Sequence, residues 1–90
     1  MTTIEMTTVI VNAAVNATIV TIVQVVETEV GSFEGMKFTA TNIGEVGMYV
    51  QAIARRRYGI EGKFIVAADG VEIATIYVTR EDVSVTATAE

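Results

Sequence analysis

The sequence predicts an α+β fold, an antiparallel β-rich single domain with one helix packed on a sheet. Three observations carry this. The apolar content is mainly Val, Ile and Ala interleaved with Thr, and β-branched side chains fit a pleated, half-buried surface. Asn42 and Glu45 form an N-x-x-E spacing that opens one amphipathic segment, because the Asn side chain can cap the first turn while the Glu reaches back. Asp69-Gly70 lies between two apolar runs and suits a tight type I′ hairpin, in which both turn residues take positive φ. The expected order is β-β-β-α-β-β-β, with a helix at about residues 42-58. Residues 1-90 form one domain, since a chain of 90 residues has little surface to spare for a second core.

Ile4 to Val11 reads as a first strand and Ala17 to Val30 as a second. Met6 to Val26 carries no charge, and its length would suit a membrane-crossing helix. Asn12, Asn16 and Gln24, four threonines and acidic flanks at Glu5, Glu27 and Glu29 argue against that, because no basic residue sets an orientation. Two strands with a turn near Asn12 to Asn16 account for the same residues. Fourteen residues at about 3.3 Å each would span about 46 Å, well beyond a domain whose radius of gyration should be near 12 Å. The second strand must therefore bend, bulge or project.

Gly31 to Gly35 reads as a turn, and Met36 to Ala40 as a third strand with Met36, Phe38 and Ala40 on one side and Lys37 and Thr39 solvated. In the helix, a 100° rotation per residue places Ile43, Val46, Val50, Ile53 and Ala54 on one stripe with Tyr49 at its edge. Met48, Gln51 and Arg55 fall opposite, and Gly59 is the expected stop. Lys63 to Ala68 and Val71 to Val78 flank the Asp69-Gly70 turn; Thr79 to Asp82 leads to a last strand, Val83 to Ala89, alternating Val or Ala with Ser or Thr.

One helix covers one face of a sheet, yet the second and fifth strands are apolar on both faces: Val20, Ile22 and Val26 oppose Ile19, Val23 and Val25, and Ile76 and Val78 oppose Ile73 and Tyr77. Layered domains bury both apolar faces. Self-association is the expected cover for the second one, so the chain itself is the first expected partner.

Chemistry is sparse. Leu, Pro, Cys, His and Trp are all absent. Without cysteine there is no disulfide, thiolate nucleophile or thiolate metal site, and without histidine the commonest general acid/base and zinc ligand are missing. Ser32 and Ser84 therefore have no triad partner. The acidic residues Glu61, Asp69, Glu72, Glu81 and Asp82 lack the spacing of a calcium loop, and no phosphate-binding glycine loop occurs. No catalytic residue, metal or cofactor is expected.

Four of the six basic residues fall between Ile53 and Lys63, in a chain of net charge -5. Cations in the last helical turn oppose the negative end of the helix dipole, worth about 0.3–1 kcal/mol each. Arg57 falls on the core-facing stripe, where it would snorkel, pair with Glu61 or Glu72, or line a pocket. Arg55, Arg56 and Arg57 with Tyr58 and Tyr49 are the candidate ligand-binding residues, fitted to an anionic small molecule or protein surface. The acidic remainder disfavours nucleic acid. The expectation is a noncatalytic homo-oligomeric binding protein capturing an anionic ligand or partner surface. The alternatives are a purely structural, virion-like assembly subunit and a weak nucleic-acid binder. The start lacks the basic region of a signal peptide, so the expected setting is soluble and cytoplasmic; a viral or phage accessory protein, in host cytoplasm or virion, is the analogy.

Overall fold

A computed structural model describes residues 3–55, 61–79 and 81–87. The element order is α1 (Thr3–Ala13), β1 (Val20–Thr28), β2 (Gly31–Ala40), α2 (Ile43–Ala54), β3 (Gly62–Ala68), β4 (Val71–Val78) and β5 (Val83–Ala87). This is an α+β domain around a five-stranded antiparallel sheet in the order β2-β1-β3-β4-β5. β2 and β3 both pair antiparallel with β1, so they run parallel on either side of it. α2 makes the crossover between them.

The first element corrects the sequence reading: residues expected as a strand form α1. Its Thr, Val and Ile content favours strands, but Met6, Ile10 and Ala14 recur every four residues and are all fully buried, the spacing of a helical stripe. Packing against α2, β4 and β5 overrides propensity. No helix among the described residues is long and apolar enough to cross a membrane.

Both helices lie on the same side of the sheet, α1 toward β4 and β5 and α2 toward β2. Between them and the sheet sits one core, built from Met6, Ile10, Val46, Val50 and Ile53 on the helices and Val20, Ile22, Phe64, Val66, Ile76 and Val78 on the strands. The helices meet at Gly47, where a Cβ would lie in ordinary contact, 3.7 Å from the Thr7 methyl. Ile73, expected on the opposite face, packs against this core because it is the extra residue of a bulge between the Val66–Ala74 and Ala67–Glu72 pairs.

The long β1 both bulges and projects. Its pairing with β3 ends at Val25–Lys63, while its hairpin with β2 continues through Val26–Phe33 to Thr28–Gly31. The molecule is accordingly longest in one direction, 37 × 26 × 24 Å, with a radius of gyration of 12.2 Å. At the base of this arm the register shifts between the Val23–Lys37 and Val25–Glu34 pairs, leaving Gly35 and Met36 opposite Gln24. The Gln24 amide fills the irregularity: its Oε1 accepts from Met36 N–H at 3.2 Å and its Nε2 donates to the Glu61 carbonyl at 2.8 Å.

The β3–β4 hairpin turns as expected through Asp69 (φ 50°) and Gly70 (φ 85°). Thr79 closes the next turn, its N–H donating to the Asp82 carbonyl at 2.8 Å and its hydroxyl accepting from Asp82 N–H at 3.0 Å. In β5 Val83 and Val85 pack against the core while Ser84 and Thr86 are exposed.

Candidate functional site

α2 is set by its amino end. Asn42 Oδ1 accepts from Glu45 N–H at 2.9 Å, and Glu45 Oε1 accepts from Thr41 N–H at 3.1 Å, the Thr41 hydroxyl at 2.8 Å and Asn42 Nδ2 at 2.9 Å. This is the expected capping box, with the Glu reaching one residue further back than the cap itself. Glu45 is thereby committed to the helix start.

The cap fixes the rotation of everything after it. Val46, Val50, Ile53 and Ala54 turn into the core, which leaves Met48 and Arg55 exposed and Gln51 and Ala52 half-buried on the outward side. Tyr49, at the stripe's edge, leans on Phe38 of β2 with ring centroids 5.2 Å apart and planes at 39°, a tilted pair of the kind that adds to simple burial. A concave surface of about 530 Å³ runs over this side of α2, lined by Phe38, Ile43, Met48, Tyr49, Gln51 and Arg55 together with Gly44, Gly47 and Ala52. Its walls are mostly apolar, and among the described residues Arg55 is its one charged side chain.

The helix ends earlier than the expected position near residue 58. Ala54 is its last residue and Arg55 is the cap, at φ -86° and ψ 5°, with its N–H donating to the Gln51 carbonyl at 2.9 Å. Arg55 therefore stands just past the last turn, and its guanidinium pairs with no carboxylate among the described residues. Of the five candidate ligand-binding residues, the structure brings Tyr49 and Arg55 to one surface. Arg56, Arg57 and Tyr58 lie outside the described residues, as does Gly59.

The acidic residues serve local structure. Asp69 accepts from Thr18 N–H (3.0 and 3.1 Å to its two oxygens) and from Ile19 N–H (2.9 Å). The backbone bonds from Ile19 and Thr18 hold its carboxyl below the usual 3.8. No cluster that could hold a metal ion occurs among the described residues.

A second surface lies on the other side of the sheet. The sheet face away from the helices carries three cross-strand rows: Thr39–Thr21–Ala67–Glu72, then Lys37–Val23–Ile65–Thr75–Thr86, then Glu34–Val25–Lys63–Tyr77–Ser84. Val23, Val25, Ile65, Ala67 and Thr75 are half-buried by their neighbours and Tyr77 is 42% exposed. No described element packs on this face. The alternation of β1 and β4 signalled a second apolar face; the central role of Ile65 follows only from the strand order, which puts β3 in the middle.

No protein-family model matches this chain, and neither the curated proteins nor the solved structures include a significant match to it.

Proposed function

We propose that the protein is a noncatalytic, self-associating binding protein that captures an anionic ligand or an anionic partner surface at the carboxyl end of α2. The observation that carries this reading is the convergence of Arg55, Tyr49 and Phe38 on one concave, mostly apolar surface of about 530 Å³. That volume lies in the range of small-molecule sites, which are largely apolar with a few convergent polar groups. A guanidinium with no carboxylate partner among the described residues supplies the polar anchor, since its planar fork can hold a carboxylate or phosphate bidentately. Arg56 and Arg57 follow directly in sequence and add positive charge to the same segment, with Tyr58 next to them.

The test is titration of the ¹⁵N-labelled protein with benzoate and, separately, inorganic phosphate. Saturable shifts are expected at the Gly44, Gly47 and Arg55 amides, with Arg55→Ala and Arg57→Ala each weakening binding about tenfold or more, the scale of one charge-assisted hydrogen bond. Assembly mass should not change. Absence of saturable shifts with both anions contradicts capture at this surface.

The sheet face on which no described element packs favours a second reading, a purely structural assembly subunit in which the arginines only cap the helix and contact neighbouring copies. Loss of assembly and binding together in Arg57→Ala supports that subunit over the capture protein. A weak nucleic-acid binder is the third reading, and it requires affinity that falls steeply with salt as counterions are released.

A further inference from the structure

We infer that the open face of the sheet is the surface through which two copies of this chain associate, face to face, giving a four-layer particle with helices outside and two sheets in contact. This deepens the self-association in the reading above and rests on different residues from the α2 surface.

The chemistry of the face is that of an interface centre. Val23, Ile65 and Thr75 form its middle row, with Val25 and Ala67 above and below, and every residue of this patch is only half-buried within its own chain. Most charges stand toward the margins: Lys37 and Glu34 on the edge strand β2 and Glu72 at the bulged end of β4, while Lys63, second residue of the central β3, lies between Val25 and Tyr77 in the outermost of the three rows. Interface cores are depleted of charge while their rims are polar. Because both signs lie on one face, a second copy of it is electrostatically compatible; a two-fold contact uses the same patch on both subunits and needs that property.

Area supports the same occupant. Five strands spaced about 4.8 Å apart, each offering about six residues at about 3.3 Å, make a face of roughly 500 Å². Two such faces in contact remove roughly 1,000 Å² from water, the lower bound for a specific interface. Sheets packed this way sit about 10 Å apart with side chains interdigitated, and Ile65 and Tyr77 have the exposure to do so. A single added helix or peptide would cover only part of five strands.

Sedimentation equilibrium of the full chain decides it. Wild type should fit a dimer, and Ile65→Lys should raise the dimer dissociation constant at least about 100-fold, as expected of an unpaired charge in a desolvated contact. Met48→Lys, on the outward side of α2, should leave the dimer intact. Thr75→Arg is a second variant, polar already and beside Ile65 in the register, and is read in the same way if Ile65→Lys loses its circular dichroism spectrum. A monomeric wild type, or dimers that persist in both sheet variants, overturns the proposal. Benzoate titration of the sheet variants separates the two ideas: shifts at Gly44 and Arg55 persist if capture is right and only the interface is wrong.

Discussion

Asp69 and Ile19 are joined by a reciprocal pair of hydrogen bonds: Asp69 N–H donates to the Ile19 carbonyl at 2.8 Å, and Ile19 N–H donates to Asp69 Oδ1 at 2.9 Å. One turn residue of the β3–β4 hairpin thus fastens the segment that leads from α1 into β1. Asp69 adopts φ 50°, which aims its carboxylate back along the chain and which Asp and Asn tolerate better than most residues.

This clamp has a defined pH dependence. The folded carboxyl titrates below 3.8, chiefly because Ile19 and then Thr18 donate to it. A depressed carboxyl contributes stability that is present above the unfolded pKa and is lost as pH falls through the folded one. Asp69→Asn should therefore lower the thermal midpoint at neutral pH, and the gap from wild type should narrow below about pH 4. Paired melts at pH 7 and pH 3 check this; a gap that stays constant contradicts the clamp.

Gln24 and Gly35 form a second pairing with a measurable signature. A Cβ at position 35 would lie 2.6 Å from Gln24 Oε1 and 3.0 Å from Val26 Cγ2, so Gly35→Ala must displace the amide from its bonds to Met36 and Glu61. A loss of about 1–2 kcal/mol is expected, the scale of disrupted hydrogen bonds with some steric strain. Gln24→Ala alone should cost about 0.5–1.5 kcal/mol. In the double variant the Gly35→Ala cost should shrink by at least about 0.5 kcal/mol, the threshold for direct coupling. Additive urea-denaturation energies would place the amide elsewhere.

The helical state of α1 can be read from two neighbours. Ile10 is completely buried whereas Val9 is 37% exposed, so Ile10→Ala should cost about 2–5 kcal/mol and Val9→Ala no more than about 0.5 kcal/mol beyond propensity effects. Ala14→Asp should be as damaging as the Ile10 change, because it places a charge in the same stripe. If Val9→Ala proves as costly as Ile10→Ala, the four-residue spacing is wrong.

Asn42→Ala should cost about 1 kcal/mol, the usual worth of an N-cap side chain. Its Oδ1 holds Glu45 N–H and its Nδ2 holds the Glu45 carboxylate, so Asn42→Asp should keep the first bond and lose the second. Chemical denaturation is expected to rank wild type above Asn42→Asp and Asn42→Asp above Asn42→Ala.

The parts of the fold that were legible in the sequence are those decided within a few residues. Asn42 with Glu45 announces a helix start, and Asp69-Gly70 announces a turn, because each motif satisfies its own backbone. The parts that were not legible depend on partners far away in the chain. Asp69 and Ile19 are separated by 50 residues, and nothing local ties them together. Residues 3–13 suit strands by their Thr, Val and Ile content, while the contacts that decide for a helix come from α2 and from strands late in the chain. Their helical signal was present in Met6, Ile10 and Ala14, spaced by four. Gly31 to Gly35, expected as a turn, belongs to β2, and the role of Gln24 in filling the bulge beside Gly35 required the register. At the candidate site, the outward placement of Met48, Gln51 and Arg55 followed from the helical wheel. Phe38 as the wall beside Tyr49 did not, since it needs β2 to lie next to α2.

Self-association joined to anion capture is the central claim, and native mass spectrometry of gently purified protein tests both halves at once. The predicted result is an even-numbered assembly, at minimum twice the chain mass of 9.6 kDa, that retains an anionic adduct lost in Arg55→Ala. A bare monomer at every concentration would contradict the account.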